Sequence, residues 1–472
     1  MPTRTVVIVG GGIAGLATAV RLIQLGLKPI VLEKRPFLGG RAYSFTDSDT
    51  GVEIDNGQHV FIGACDEFQQ YIADIGASDQ IRLDKLIGFP VLKRGKTSWI
   101  RARRLPGILA NLSALLGYRH VGVIGKLRIL RGLLSIKLTR LKPTAFGAGL
   151  ISQHDQITFD DWLRDHGQNN ETIQNFWNLI ILPSLNDDIA AVSAHTGIQL
   201  FKVALLGPAR NPAMGIPLAG LSTLIGDNAR AFIESHGGEI RTGVDVESLH
   251  IAGGGIKGVR TTNDELIEGE AVVSAVPAAA MTSLIPGEPD GPYDFFTPAN
   301  SVSTAPIVAV HIWYDRPVMN ENFVAVLDSP LQWVFNDTDL KSRNEPGQHI
   351  VISLSGAWRW QDRSKQELRD IFTLEMENAF PEVRNASIEK FTIVKMLEAT
   401  FRVGPRSQGS RLSQRTPLPG FYLAGDWTDT GWPSTMESAV RSGNLAAKFI
   451  VEDIGTGVVD MPLESSSERA TE

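Results

Sequence analysis

The stretch TVVIVGGGIAG, residues 5–15, decides the fold. Its first half is a short β-branched run, which predicts a strand over Thr5 to Val9. The residues from Leu16 to Leu25 have the composition of a helix, and Lys28 to Leu32 is again typical of a strand. The sequence therefore predicts a strand–helix–strand unit with a glycine-rich loop between its first strand and its helix.

The loop has the spacing of a dinucleotide-binding fingerprint, with glycines at Gly10, Gly12 and Gly15. The first glycine permits a tight turn, the second lets the backbone approach a pyrophosphate, and the third lets the helix pack closely. Ile13 and Ala14 complete the loop before the predicted helix, and backbone amides at the N-terminus of such a helix favour phosphate. We therefore expect these five residues to hold the pyrophosphate of a dinucleotide.

An acidic residue at the end of the second predicted strand narrows the choice of cofactor. Glu33 stands where the adenosine ribose needs an acceptor for its 2′-hydroxyl, and Lys34 follows it in the expected site. An acid at this position favours FAD or NAD over a cofactor with a 2′-phosphate.

In Gly39-Gly40-Arg41, Gly40 offers a backbone without a side chain, and Arg41 offers a guanidinium for phosphate oxygens. The alternative for Arg41 is a turn with a solvated side chain.

A second set of candidate cofactor contacts lies near the other end of the chain. A strand predicted over Phe421 to Ala424 leads into Gly425-Asp426, and a helix is predicted from Thr435, through Met436, to about Ile454. A carboxylate at a strand end suits ribityl hydroxyls, and amides at a helix start stabilise negative charge on a reduced flavin. An isolated Gly-Asp is ordinarily a turn, so this assignment depends on its pairing with the N-terminal fingerprint.

The bulk composition bounds the kind of protein. A chain of 472 residues exceeds the size at which one hydrophobic core keeps growing, so two or three interleaved domains are expected. The formal net charge of -7 argues against a dedicated nucleic-acid binder. The segment 85–154 departs from this average, because it holds fourteen Lys and Arg residues and no Asp or Glu. Such a segment attracts anionic surfaces.

Cys65 is the single cysteine of the sequence. An intrachain disulfide and a cysteine-based zinc site are therefore excluded, no metal site is expected, and a reducing compartment is favoured. A cysteinyl flavin would have to use Cys65, far in sequence from the C-terminal motif, so a non-covalent FAD is expected.

The apolar start of the chain is interpreted as a strand rather than a signal peptide. The sequence holds no uncharged apolar run of about eighteen residues that predicts a membrane-spanning helix.

The predicted fold class is α/β, with a Rossmann-type FAD-binding domain and a discontinuous α+β substrate domain. Residues 1–85, 215–290 and 405–455 are assigned to the FAD-binding domain, because the fingerprint, a return of short strands and the C-terminal motif lie there. Residues 86–214 and 291–404 are assigned to the substrate domain, including a basic helical part that faces a membrane. The polar, acidic tail 456–472 is expected to be disordered.

Together these motifs resemble the amine oxidase and phytoene desaturase superfamily of flavoproteins. In that superfamily a strand after the mid-chain helix gives a backbone contact to adenine, which the pattern places at Val246. Several strings are similar to one branch, the hydroxysqualene dehydroxylases of bacterial hopanoid pathways. These strings include Asp55-Asn56-Gly57-Gln58-His59, Phe176-Trp177 with Leu185-Asn186-Asp187, Gln332-Trp333-Val334-Phe335, Ala399-Thr400-Phe401, Ala424-Gly425-Asp426-Trp427-Thr428, and Trp432-Pro433-Ser434-Thr435-Met436-Glu437. The resemblance adds Gly57, Gln58 and His59 to the expected cofactor contacts.

The resemblance implies FAD-dependent reductive dehydroxylation of hydroxysqualene to squalene, with an electron donor of unknown identity. A departing hydroxide needs a proton donor, and the candidates are His59, Asp55 and Glu437. His59 is preferred, because an imidazolium can release a proton near neutral pH. The alternatives are that His59 hydrogen-bonds the cofactor or a carbonyl, and that Asp55 is a structural acceptor in its loop. Tryptophans that could line an apolar tunnel for the isoprenoid, or simply pack in the core, are Trp333, Trp358, Trp360, Trp427 and Trp432.

The basic segment gains a role from such a substrate, because a polyisoprenoid resides in the bilayer. Leu127, Leu130, Leu134, Leu138 and Leu141 lie near one face of a predicted helix, with Lys and Arg around them. This predicts a cytoplasmic protein that is peripherally associated with the inner face of the cell membrane. The alternative is a substrate-domain cap with a solvated basic face. For the activity, the alternatives are a carotenoid-type desaturase, a flavin amine oxidase and a flavin-containing isoprenoid carrier.

Overall fold

The computed structural model describes residues 4–48, 51–141, 152–285, 292–343 and 346–455. The predicted N-terminal unit is confirmed as β1 (Thr5–Val9), α1 (Ile13–Gln24) and β2 (Lys28–Glu33). β1 and β2 pair in parallel, because the crossover helix returns the chain in the same direction. The predicted disordered tail, 456–472, lies outside the described residues.

Further strands and helices follow along the chain. The strands are β3 (Ser44–Thr46), β4 (Glu53–Asp55), β5 (Phe61–Ile62), β6 (Ile81–Leu83), β7 (Gly88–Lys93), β8 (Lys96–Arg101), β9 (Met214–Pro217), β10 (Glu239–Thr242), β11 (Val246–Ala252), β12 (Gly255–Thr261), β13 (Leu266–Glu268), β14 (Ala271–Ser274), β15 (Thr304–Tyr314), β16 (Phe323–Leu327), β17 (Trp333–Asn336), β18 (Gln348–Leu354), β19 (Ile388–Phe401) and β20 (Phe421–Leu423). The helices are α2 (Asp66–Asp74), α3 (Ile108–Ser113), α4 (Val123–Leu138), α5 (Phe159–Asp165), α6 (Asn170–Thr172), α7 (Asn178–Leu185), α8 (Ala194–Ala204), α9 (Asn228–Ser235), α10 (Ala278–Leu284), α11 (Asp337–Leu340), α12 (Lys365–Ala379) and α13 (Met436–Ile454). π-Helical turns at Ile173–Trp177 and Ser222–Asp227 lead into α7 and α9.

A five-stranded sheet in the order β10-β2-β1-β14-β20 carries the glycine-rich loop. All four of its strand pairs are parallel, so the carboxyl ends of β1, β2, β14 and β20 meet at one edge, where ligands bind in open α/β sheets. α1 and α13 cross closely, since a Cβ added at Gly443 would lie 2.6 Å from the carbonyl oxygen of Ala14. Both ends of the chain therefore meet beside this edge, although the domain boundaries themselves stay a prediction.

A seven-stranded mixed sheet in the order β19-β15-β18-β17-β16-β7-β8 forms the second layer. Because side chains alternate along a strand, Val310 and Ile312 of β15 pack into the core beneath α12, whereas Ala309, His311 and Trp313 face the opposite side. β16 and β17 pair antiparallel in this sheet, with Phe323 opposite Phe335. β7 and β8 form an antiparallel hairpin at one edge of this sheet.

The basic segment continues as helices. On α4 the buried side is narrow and includes Ile129, Leu133 and Ile136, with Gly125 and Gly132 allowing close packing. The predicted leucine face is exposed to solvent instead of packed against the protein, at Leu127, Leu130, Leu134 and Leu138. In the part of the chain that the structure describes, we find no helix that combines the length and the apolarity needed to cross a membrane.

Candidate cofactor and substrate site

The three glycines of the fingerprint are needed for different reasons. Gly10 has φ of +109°, and a Cβ on Gly15 would lie 2.0 Å from the carbonyl oxygen of Gly10, so the fold itself needs both. Gly12 precedes α1 in extended conformation, and its added Cβ would meet only the Cα of Gly40, at 3.8 Å. The second glycine thus faces open space in front of the helix start formed by Ile13 and Ala14, as a phosphate cradle requires.

Glu33 is held firmly at the end of β2. Its two carboxylate oxygens accept from the backbone N–H groups of Gly11, at 2.7 Å, and Arg35, at 2.9 Å. A carboxylate has about four acceptor positions, so these contacts orient Glu33 and leave capacity for a ribose hydroxyl. Lys34 beside it is exposed.

Gly39-Gly40-Arg41 lies directly against the glycine-rich loop. The N–H of Gly39 donates to the carbonyl of Gly11 at 2.9 Å, and Gly40 has φ of +62°. The Arg41 guanidinium forms an ion pair with the Asp426 carboxylate. Two predicted cofactor residues from opposite ends of the chain are therefore in direct contact.

The C-terminal motif is built by buried hydroxyls. Gly425, with φ of +149°, donates its N–H to the Ser442 hydroxyl at 2.7 Å. The Ser434 hydroxyl donates to the Asp426 carboxylate. Thr435 caps α13 by accepting from the N–H of Ser438 at 3.3 Å, and Met436 is the first helical residue. The start of α13 thus lies next to Asp426, as a flavin-binding end of this helix requires.

Sequence reasoning missed Arg411, which is almost fully buried beneath this motif. Its guanidinium donates to the carbonyls of Thr428, at 3.0 Å, and Asp426, at 3.1 Å. Removing this side chain would leave both carbonyls buried without their partner, so Arg411 fixes the loop after β20. No sequence motif surrounds Arg411, and only its burial in the structure identifies it.

Val246 begins β11 close to the expected adenine position. The chain just before it pairs with the end of β2, since the N–H of Gly243 donates to the carbonyl of Arg35 at 3.2 Å and that of Val244 to the carbonyl of Glu33 at 3.0 Å. Val246 is half-buried two residues further on. This segment therefore passes Glu33, although the adenine contact itself stays a prediction.

Asp55 has a full set of structural partners. Its carboxylate accepts from the Ser44 hydroxyl at 2.7 Å, from the N–H of Leu221 at 3.0 Å, and from Lys341 Nζ at 2.8 Å. These contacts match the structural acceptor that the sequence left open. They tie the loop that follows, with Gly57 and His59, to the seven-stranded sheet.

His59 occupies that loop with one ring nitrogen engaged. Nδ1 is 2.9 Å from the carbonyl of Gly57, so Nδ1 carries the proton, and Gln58 donates to the carbonyl of His59 at 3.2 Å. Burial lowers the pKa of His59, outweighing this hydrogen bond and the charge of Asp55. This direction disfavours an imidazolium in the loop, because burial desolvates the charged ring, and the role of His59 as proton donor stays a prediction. Its place in the cofactor site stays a prediction.

Glu437 is fully buried and serves a neighbouring helix. Its carboxylate accepts from the backbone N–H groups of Phe68, at 2.8 Å, and Glu67, at 3.3 Å, and from Arg441 Nε at 2.7 Å. Burial raises the pKa of Glu437, while Arg441 and the two amides oppose that rise. These contacts cap α2 from a distant part of the chain, which accounts for Glu437 without a catalytic role.

The five tryptophans fall on different surfaces. Trp333 lies in a row of rings on the sheet face opposite α12, 5.1 Å between ring centres from Phe89 and 6.2 Å from Phe335. Trp360 is buried in the core on the other face, beside Phe372, and Trp358 is 41% exposed, so the predicted tunnel does not include them. The remaining two, Trp427 and Trp432, are buried in the FAD-binding part.

We call the row of Phe89, Phe323, Trp333 and Phe335 the aromatic wall. β17 pairs with β18 so that Phe335 lies opposite Val351, and β18 pairs with β15 so that Val351 lies opposite His311. Ala309, on the same face of β15, lies 3.8 Å from a Cβ added at Gly57. The wall therefore leads across the sheet to the loop that carries His59.

The residues present fit a dinucleotide that contains a flavin. The cradle at Gly12 and the start of α1 suit a pyrophosphate, and Asp426 beside the start of α13 suits the ribityl chain and the flavin. Burial and the nearby Glu437 raise the pKa of the Cys65 thiol to about 12, so this cysteine is no nucleophile for a covalent flavin link.

This geometry defines an FAD-dependent oxidoreductase with a two-layer architecture. Residues 13–451 match the family described as flavin-containing amine oxidoreductase, and the chain belongs to that family. The chain is 28% identical over 467 residues to a 15-cis-phytoene desaturase of Capsicum annuum, covering 95% of this chain and 78% of the relative. It is 26% identical over 482 residues to a zeta-carotene desaturase of Synechocystis sp., covering 94% and 97%. A solved putrescine oxidase with bound putrescine shares the fold, with a TM-score of 0.72 at 16% identity, over 95% of this chain and 99% of that one.

Proposed function

We propose that this flavoprotein transfers a hydride between FAD and a polyisoprenoid chain. The observation that carries the proposal is the aromatic wall, a row of buried rings on the sheet face that leads to the loop of Gly57 and His59. Bound FAD supplies a two-electron acceptor or donor. The wall contributes by holding an apolar chain, excluding water and facing a developing cation with ring surfaces.

Two reactions of this class fit, and they run in opposite directions. Reductive dehydroxylation of hydroxysqualene consumes reduced FAD and one proton and gives squalene and water. Its support is the resemblance of several strings, among them Asp55-Asn56-Gly57-Gln58-His59, to those of hydroxysqualene dehydroxylases. The lowered pKa of His59 disfavours this residue as the proton donor of the reaction.

Carotenoid-type desaturation consumes oxidised FAD and releases a proton, leaving a new carbon–carbon double bond. Its support is the likeness to phytoene and zeta-carotene desaturases over nearly the whole chain. Comparison with relatives favours this reaction over dehydroxylation. Both candidates require the same apolar substrate surface, so the direction must be measured.

An anaerobic two-arm experiment separates the candidates. Oxidised protein is mixed with 15-cis-phytoene, and photoreduced protein with hydroxysqualene, each in detergent, while flavin absorbance is followed. Bleaching in the first arm supports the desaturase, and reoxidation in the second supports the dehydroxylase. No flavin change in either arm would overturn the proposal and leave the isoprenoid carrier or the amine oxidase.

We further propose that the exposed face of α3 and α4 rests on an anionic bilayer, at the inner face of the cell membrane. Large apolar side chains are 40–70% exposed there, at Leu109, Leu116, Leu127, Leu130, Leu134 and Leu138. Basic residues surround them, with Arg131, Lys137 and Arg140 exposed, and no acidic residue occurs between Lys85 and His154. An apolar face rimmed by cations suits the interface of an anionic membrane rather than solvent.

Vesicle sedimentation tests this membrane face. Leu130→Gln with Leu134→Gln should weaken binding to vesicles containing phosphatidylglycerol by at least about tenfold, since each leucine contributes roughly 1 kcal/mol or more when buried in lipid. The matched control is Leu374→Gln, on α12, where the leucine is 57% exposed outside this face. Equal binding of wild type and double variant would contradict the proposal.

A further inference from the structure

Outside the glycine-rich cradle, a chain of buried hydrogen-bonded groups crosses the aromatic-wall side of the sheet. His349 Nδ1, on β18, lies 3.0 Å from the carboxylate of Asp337, at the start of α11. His349 Nε2 lies 3.1 Å from His311 Nδ1, on β15. All three residues are at most 3% exposed. His311 Nε2, at the end of the chain, is buried without a hydrogen-bond partner in the residues that the structure describes.

We call the chain of Asp337, His349 and His311 the relay. The carboxylate of Asp337 determines which nitrogen of each imidazole carries the proton. Burial by itself raises the pKa of Asp337, but the hydrogen bond with His349 and the charge of Lys341 outweigh it and hold that pKa well below its usual range. Burial lowers the pKa of His349, and burial together with His349 lowers that of His311 to about 3. Both imidazoles are therefore neutral near pH 7.

An ionised carboxylate only accepts, so His349 Nδ1 carries the proton that faces Asp337. His349 Nε2 must then accept from the Nδ1–H of His311. This leaves a buried lone pair on His311 Nε2. An acceptor in that state costs roughly 1–3 kcal/mol unless a partner binds it, and His311 Nε2 differs from an isolated buried atom because it ends a chain of hydrogen-bonded groups.

The position of His311 matches the proposed substrate surface. His311 lies on the same face of β15 as Ala309, which adjoins Gly57. It also lies at the polar end of the aromatic wall, beyond Val351. Trp313 stacks on His349 with 4.1 Å between ring centres, which holds that imidazole in place.

We propose that His311 Nε2 exchanges a proton with the polyisoprenoid, and that His349 and Asp337 are positioning residues that fix its tautomer. This inference rests on the proposed function. In desaturation, one carbon loses a hydride to oxidised FAD, the adjacent carbon loses a proton to Nε2, and the double bond forms between them. In dehydroxylation, a relay loaded with one extra proton donates it from Nε2 to the leaving hydroxyl, which departs as water, while reduced FAD supplies the hydride.

The two directions need opposite protonation of the relay, so they have opposite pH profiles. The neutral relay already presents a base, and oxidative turnover should be flat between about pH 6 and 9. Reductive turnover should rise about tenfold for each unit that the pH falls over the same range, because it uses the rare protonated relay. The charged or titratable groups around the relay are Lys341, Arg343, Asp55, His59 and Lys390.

Substitutions test the assignment by stopped-flow flavin absorbance. His311→Gln should slow turnover by about 100-fold or more in either direction and remove the pH dependence of reductive turnover, with FAD content and melting temperature preserved. His349→Gln should slow it by about tenfold and shift the pH profile. The control is Tyr314→Phe, on the opposite face of the same strand. It removes a buried hydroxyl that, like His311 Nε2, lacks a partner among the described residues, and it should leave the rate within about twofold. His311→Gln with unchanged rate would overturn the proposal.

A measurement without turnover keeps the inference separate from the proposed function. In ¹⁵N-histidine NMR of the oxidised holoprotein, His311 should show a protonated Nδ1 and an unprotonated Nε2. Adding hydroxysqualene should shift the Nε2 resonance, because its hydroxyl donates there, whereas squalene should not. A protonated Nε2, or an unmoved resonance when the lipid demonstrably binds, would overturn the assignment even if turnover is observed.

Discussion

Gly12→Ala separates a cofactor role for the fingerprint from a role in folding. Gly12 has φ of -78°, so alanine fits its backbone, and the added Cβ would meet only Gly40, at 3.8 Å. The folded protein should therefore lose no more than about 1 kcal/mol, the cost of alanine instead of glycine at a helix N-cap. The methyl group does, however, occupy the space in which a pyrophosphate approaches the backbone.

Displacing one charge-assisted hydrogen bond to phosphate costs roughly 1.5–3 kcal/mol, which corresponds to a rise in the Kd for FAD of about 10- to 150-fold. Flavin-free protein titrated with FAD, followed by quenching of flavin fluorescence, measures this change. Thermal unfolding of the same flavin-free samples checks the fold. Gly409→Ala is the control, since nothing lies within 4 Å of its added Cβ. An unchanged Kd for Gly12→Ala would refute the assignment of this loop to the pyrophosphate.

The remaining predictions concern the stability of the fold and Glu437 as a candidate proton donor. Gly15→Ala should destabilise the fold by about 4 kcal/mol or more, because its Cβ would lie 2.0 Å from the carbonyl oxygen of Gly10, and a normal melting temperature would contradict this. Glu437→Gln should lower the free energy of unfolding in urea by about 1–3 kcal/mol without slowing turnover; lost turnover at full stability would restore Glu437 as a proton donor. Burial raises the pKa of Asp155 to about 6. The protonated carboxyl therefore contributes stability that is fully present below about pH 4, and this stability is lost as the pH rises through 6. Relative to wild type, Asp155→Asn should therefore gain up to about 3 kcal/mol between about pH 4 and 8, and a constant difference would exclude this.

The local part of the cofactor site could be predicted from sequence because short-range chemistry fixes it. The turn at Gly10 and the strand end at Glu33 each follow from residues within a few positions of one another, whereas α1 begins at Ile13, three residues before the predicted helix. The ion pair of Arg41 with Asp426 joins residues 385 positions apart, and only the packing of α1 on α13 brings them together.

The protonation states could not be predicted, because they depend on tertiary burial. His59 belongs to a recognisable string, yet its desolvation by the surrounding fold lowers the pKa that favoured it as an acid. The relay of His311, His349 and Asp337 requires the register of β15 on β18 and the turn into α11. Its one sequence signal is a histidine within the apolar strand, at an inward position where polar side chains are uncommon.

The exposed leucines show the limit of periodicity in the same way. Their helical spacing was visible in the sequence, but spacing does not distinguish a face that packs on protein from one that remains free. In the structure α4 buries the side that carries Gly125 and Gly132 and leaves Leu127 and Leu134 exposed.

The most direct test of the central claim is a single anaerobic turnover with analysis of the lipid. Photoreduced protein is mixed with hydroxysqualene in D₂O, so that the hydride on the flavin is deuterium, and the product is examined by mass spectrometry; oxidised protein with 15-cis-phytoene is run in parallel. Hydride transfer to or from a polyisoprenoid predicts one flavin converted per lipid product, with one deuterium in squalene or two hydrogens lost from phytoene. Lipids recovered unchanged from both reactions, with the flavin in its starting state, would contradict it.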